Sequence, residues 1–140
     1  MRFSVLTSLS AIAAFGIAPP ALADQVHVAL EGMEENEGSI VVCLWDRDAK
    51  FPNCEKGEPL RRIVLPASAR SATFEGVAAG TYAVSAFHDA NDNGKLDTNF
   101  LGIPREAVGL SNNPRIMGPP RFDPARFKVD GRTDITIRFQ

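Results

Sequence analysis

The sequence predicts an all-β fold: a single antiparallel β-sandwich of about seven strands, with one long ordered loop at one end. Three observations predict it. Short runs of alternating or continuously apolar residues recur along the chain. Gly, Pro, Asn and Asp separate them. No window carries a helical period of useful length. Many short strands with turn residues between them argue for a sandwich rather than for a helical or mixed fold.

The length of 140 residues suggests one domain. Its beginning reads as an export signal. Arg2 supplies positive charge, residues 3–18 are apolar and small without an acid, and Ala21-Leu22-Ala23 is a small-x-small cleavage site ahead of Asp24. A transmembrane anchor is the rival, but the apolar stretch is short and broken by Pro19-Pro20. The residue directly after the cleavage site is Asp24 and not cysteine, so no lipid anchor is expected. The expected division is a signal peptide over 1–23 and a sandwich over 24–140. The mature protein would be periplasmic or secreted, with no membrane span once the signal is removed.

Residues 25–30 alternate, with Val26, Val28 and Leu30 on one side and His27 and Ala29 on the other, as in a half-buried strand. Residues 31–38 are acidic with two glycines and read as a turn. Ile40-Val41-Val42-Cys43-Leu44-Trp45 is an unbroken apolar run, which fits a strand covered on both faces. Residues 46–59 form a charged loop that contains Phe51-Pro52 and Cys54, with a short helical turn near Phe51 as a candidate. Strands are expected at 60–66 and at 70–74, where Ala72 and Phe74 face inward. Residues 81–87 alternate again, Tyr82, Val84 and Ala86 against Ala83, Ser85 and Phe87. Residues 127–129 and 135–139 close the chain, with Asp130-Gly131 as a hairpin turn between them.

Residues 88–121 carry no strand signal and are punctuated by Gly102-Ile103-Pro104, Ser111-Asn112-Asn113-Pro114 and Gly118-Pro119-Pro120. Segments this long without secondary structure are uncommon in compact domains and are usually functional or disordered. Phe100, Leu101, Ile103, Val108, Leu110, Ile116, Met117 and Phe122 call for burial. The expectation is therefore an ordered excursion, packed on one end of the sandwich.

The formal net charge is −2, and loss of Arg2 with the signal leaves the mature chain one unit more negative. That balance excludes a nucleic-acid binder on charge grounds. Arg61-Arg62 and residues 115–132 are locally basic, for which a solvated face is the simpler reading. Cys43 and Cys54 are the two cysteines. In an oxidising compartment an even count favours a disulfide between them, against a pair of separate thiols. Closing so short a loop would contribute about 3 kcal/mol.

The most distinctive stretch is 88–100. Asp89, Asn91, Asn93 and Asp97 occupy positions 1, 3, 5 and 9 of a calcium loop, and Gly94 occupies position 6. Alternate residues of a tight loop point inward, and the carbonyl of Lys95, at position 7, would add an oxygen. Leu96 would pin the loop to the core. Position 12, normally a bidentate Glu, is Phe100. Calcium is thus a candidate cofactor at an incomplete site. The alternative is that these side chains cap their own backbone turns without a metal.

The run Ala86-Phe87-His88-Asp89, continued by Asn91-Asp92-Asn93-Gly94-Lys95-Leu96-Asp97 and on to Gly102-Ile103-Pro104, resembles the signature of an exported bacterial family, domain of unknown function 2141. The similarity continues through Glu106, residues 109–112 and residues 118–122, and spans essentially the whole mature chain. The resemblance implies a small secreted or periplasmic β-sandwich and no established activity. The cysteine pair is not part of that signature and reads as a local addition. Separately, Gly76 to Val84 resembles the strand approach of prealbumin-like and carboxypeptidase-regulatory-type sandwiches, within the wider Ig-like class.

Enzyme readings find little support. A triad needs a nucleophile, a base and an orienting group. His27 falls in an expected edge strand. His88 abuts the polar loop with Asp89 beside it and Ser111 and Asn112 downstream. Neighbours on a strand point to opposite faces, so His88 and Asp89 make no obvious pair, and a histidine that fixes the loop is the simpler assignment. Asp89, Asp92, Asp97 and Glu106 offer carboxylates for a glycosidase, as any polar loop would. Two distant histidines make a zinc site poor. Binding is the better class, since sandwich end loops are common recognition sites. The reading is a non-enzymatic binding or structural module for a protein, small-molecule or carbohydrate ligand; a small hydrolase using His88 with loop carboxylates is the alternative.

Overall fold

The structure, a computed structural model, describes residues 16, 24–115 and 117–140. The expected signal peptide, apart from Gly16, and Ile116 lie outside the described residues. Among the described residues the chain runs β1 (Gln25–Glu31), β2 (Ser39–Trp45), β3 (Arg61–Pro66), β4 (Ser71–Glu75), β5 (Gly80–Asp89), β6 (Val108–Leu110), one helical turn α1 (Phe122–Ala125), β7 (Phe127–Val129) and β8 (Arg132–Arg138). Two sheets pack together, one ordered β4-β1-β8 and the other β3-β2-β5-β6, with β7 beside the start of β5. The fold is an all-β sandwich.

Alternation builds the core. Val26, Val28 and Leu30 of β1 and Ala72 and Phe74 of β4 face Ile40, Val42 and Leu44 of β2 and Tyr82, Val84 and Ala86 of β5. The apolar run of β2 has a second use. Val41, Cys43 and Trp45 point to the opposite face and join a smaller cluster with Phe51, Cys54, Phe87 and Leu110. The 46–59 loop, with Leu110, Phe122 and Ala125, thus covers the outer face of the larger sheet, which is why β2 is apolar on both faces. Trp45 meets Phe51 edge-on, with ring centroids 5.6 Å apart, and Phe51 meets Phe122 at 5.7 Å. The Cys43–Cys54 disulfide, with Cα atoms 6.2 Å apart, staples this loop to β2.

Three expectations about topology are corrected. First, the sandwich is not wholly antiparallel: β8 pairs with β1 in parallel, from Gln25 opposite Arg132 to Glu31 opposite Arg138. Asp130-Gly131 is accordingly no hairpin turn. β7 pairs with β5, so this corner carries the chain from one sheet to the other. Second, His27 lies on the central strand of its sheet, not an edge, and its Nδ1 is 3.0 Å from Thr73 Oγ1. Third, residues 88–121 contain a strand: β6 pairs with Ser85 to Phe87, and Val108 also exchanges hydrogen bonds with Gln140. Three residues with a glycine at the centre are too few to show a period.

The excursion is also less buried than its composition suggests. Leu110 is buried and Val108 and Phe122 are half-buried, but Phe100, Leu101, Ile103 and Met117 are exposed. The reason is local. Asn99 Oδ1 accepts the N–H groups of Leu101 and Ile103, and Asn99 N–H donates to the Ile103 carbonyl. The resulting tight turn leaves Phe100 and Leu101 facing solvent, with Ile103 on the side of a cleft.

Candidate functional site

β5 delivers the chain from the core into the polar loop. Its last residue, Asp89, is only 2 % exposed. Asp89 Oδ1 accepts the N–H of Asn93 at 3.1 Å, and Oδ2 accepts the N–H of Gly94 at 2.7 Å. Gly94 has φ +77°, the left-handed conformation its position in the motif demands. Asn91 Oδ1 and Asn93 Oδ1 accept backbone N–H groups two residues further on. The Asn91 and Asn93 amides donate to the Asp97 carboxylate at 2.7–3.1 Å. Asp92, at φ +54°, accepts from the Ser39 hydroxyl instead and belongs to no inward set.

Glu106 closes this loop. One carboxylate oxygen accepts the N–H of Ala90 and the other the N–H of Asp97, each at 3.1 Å. Arg105 N–H donates to the Asp97 carbonyl, and a bridge joins Thr98 to Pro104. Glu106 therefore clamps both ends of the loop, nine residues beyond Asp97. The sequence marks Glu106 as a spare acid; its clamping role depends on the chain doubling back at 98–104.

The structure brings Asn91, Asn93 and Asp97 together, with Asp89 on the same loop fixed to backbone. Among the described residues no group of three or more His, Cys, Asp or Glu is arranged to hold a metal ion. The side chains that converge are the Asp97 carboxylate and two amides that donate to it while their own oxygens cap backbone N–H groups. That set suits the self-capped loop as it stands, and would suit a hard cation only after both amides turned their oxygens inward.

His88 is buried, and its Nε2 lies 2.6 Å from the Glu37 carbonyl. It shares a depression of about 270 Å³ with Glu106, Glu34, Glu35 and Arg105. Ser111 does not join them. Its hydroxyl accepts the Val84 N–H and donates to the Ala125 carbonyl. Val84 lies four residues before His88 on an extended strand, about 13 Å away at the usual rise. Asn112 donates to the Pro124 and Arg126 carbonyls and pins α1. Ser111 and Asn112 are thus structural stitches.

A second feature went unseen in the sequence. Beside the polar loop opens a cleft of about 730 Å³. Phe87 and Val108 line it from the larger sheet, and Pro52 and Cys54 from the disulfide-held loop. Leu96, Ile103, Pro104, Pro119 and Pro120 add apolar lining, and Asn53, Glu55, Lys56 and Thr98 add polar lining. Leu96, inside the calcium-like motif, packs toward the outer cluster and so ties the polar loop to the cleft wall. The signals available in the sequence were the prolines at 52, 104, 119 and 120, which read there only as breaks.

The fold and the site define a small all-β sandwich with a clamped polar loop and an open, largely apolar cleft alongside it. Residues 28–137 match the family described as uncharacterized protein conserved in bacteria (DUF2141), and the chain belongs to that family. No curated protein and no solved structure matches the chain. No helix of the described residues is long and apolar enough to cross a membrane.

Proposed function

We propose that this protein is an exported, non-enzymatic binding module that takes an apolar ligand into the cleft between the disulfide-held loop and the 96–104 arm. The observation that carries this reading is the cleft itself. Its volume of about 730 Å³ falls in the range of small-molecule sites, roughly 300–1,000 Å³. Apolar surface left open in this way loses the burial it could gain, at about 25 cal/mol per Å², unless something fills it. The lining favours an apolar small molecule or side chain over a carbohydrate. The disulfide supports export, because such bonds persist in oxidising compartments. The test is titration of the purified protein with the apolar dye anilinonaphthalene sulfonate. Saturable binding at one site, lost in Ile103→Asp with the melting temperature kept, is the expected result. No binding, or binding unchanged in Ile103→Asp, would reject it.

Calcium belongs to the same reading as a brace for the cleft wall. What supports it is the convergence of Asn91, Asn93 and Asp97 next to Leu96. The amide nitrogens must first be displaced and no position-12 carboxylate follows, so affinity is expected to be weak, roughly 10⁻⁴–10⁻³ M. Calcium that binds only the folded state raises the melting temperature with its concentration. Asp97→Ala should remove that rise and Asp92→Ala should retain it. A melt indifferent to millimolar calcium rejects this part alone.

The competing reading is a small hydrolase using His88 with loop carboxylates. The depression shared by His88 and Glu106 supports it. Against it, the hydrogen bonds of His88 Nε2 and both Glu106 oxygens are already committed to backbone. Turnover of ester or glycoside substrates that disappears in His88→Gln would select the hydrolase.

A further inference from the structure

Among the described residues, six large apolar side chains remain exposed, and four of them, Phe100, Leu101, Ile103 and Met117, come from the excursion. They are not scattered. Gly102 and Ile103 line the same cleft as Gly118, Pro119 and Pro120. Met117 borders an adjoining groove that shares Pro119 and Pro120 with it. Phe100, at 95 % exposure, and Leu101, at 68 %, sit on the turn that Asn99 holds with two side-chain hydrogen bonds. A turn fixed in this way presents its apolar residues outward without ordering cost at the moment of contact.

The charge lining the cleft and its adjoining groove is mostly positive. The charged residues lining the cleft and its adjoining groove are Lys56, Arg115 and Arg121, with Glu55 the single acid. All three cations are exposed, and the ion pairs of the described residues use other side chains. This local positive balance stands out in a chain whose net charge is −2. Apolar tips flanked by Lys and Arg are the pattern of a surface that settles into a lipid interface. The tips enter the acyl boundary, and the cations meet anionic headgroups.

We propose that the Phe100–Leu101 turn and the Met117 segment form a docking surface for an anionic lipid membrane, with Lys56, Arg115 and Arg121 meeting the headgroups. The proposal rests on the binding-module reading only in placing the cleft mouth at the membrane, where apolar ligands are found. It can fail separately, because Phe100 and Leu101 do not line the cleft.

The test is co-sedimentation of the purified protein with vesicles of equal phosphatidylglycerol and phosphatidylcholine, and with phosphatidylcholine alone. Binding is expected on the anionic vesicles, and should weaken in 0.5 M salt because exposed charges are screened. The double variant Phe100→Ser, Leu101→Ser should weaken it by at least about tenfold, from the loss of apolar burial. Arg115→Glu with Arg121→Glu should abolish the preference for anionic vesicles. Dye binding in the cleft should be unchanged in the Phe100 and Leu101 variant. No sedimentation with either vesicle, or binding indifferent to these four substitutions, overturns the proposal. So does a concentration-dependent dimer that the Phe100 and Leu101 variant dissolves, since that would assign the surface to a second copy of the chain.

Discussion

Asp89 is a nearly buried carboxylate whose oxygens are both spent on backbone N–H groups of the loop that follows it. Removing it leaves the Gly94 N–H without a partner and the Asn93 N–H with only Asn91 Oδ1, so Asp89→Ala should cost about 1–3 kcal/mol in urea unfolding, in chelator as well as in calcium. Leu101→Ala should behave in the opposite way. At 68 % exposure it stays within about 0.5 kcal/mol of wild type. Residue by residue, legibility followed locality. The spacing of Asp89, Asn91, Asn93, Gly94 and Asp97 marked a tight loop in the sequence because its bonds are made within that loop. The Glu106 clamp was hidden, since it depends on the turn-back at Thr98 and Pro104. Phe100 and Leu101 misled for a related reason. Composition says that such side chains want burial, and only the Asn99 turn decides which way they face.

At the scale of the element, the disulfide-held loop is both the lid over Trp45 and one wall of the cleft. Cys43→Ser with Cys54→Ser should lower stability by about 2–4 kcal/mol. It should also shift the emission of the single tryptophan to the red and weaken dye binding. Unchanged emission would show that aromatic packing alone holds the loop. The two-faced burial of β2 was readable from its unbroken apolar run, and the cysteine pairing from the even count in a chain whose start reads as an export signal. β6 was not readable, because three residues with Gly109 at their centre carry no period. Nor was the role of Asp130-Gly131. A two-residue turn between strands suggests a hairpin, yet pairing of β7 to β5 and of β8 to β1 makes it a corner between sheets.

For the whole molecule, turn chemistry and alternation gave the sandwich, while the parallel pairing of β8 with β1 joins opposite ends of the chain and has no local mark in the sequence. The cleft is likewise a product of the assembly. It forms only where segments near residues 54, 87, 103 and 119 converge. Whether it takes a ligand is decided by mapping where an apolar probe lands. In a nitrogen-15 amide titration with anilinonaphthalene sulfonate, the largest shifts should fall on Cys54, Leu96, Ile103 and Val108. Shifts gathered instead on Met33, Glu34, His88 and Ala107, around the smaller depression, or no saturable shifts at all, would rule out the cleft as the ligand site.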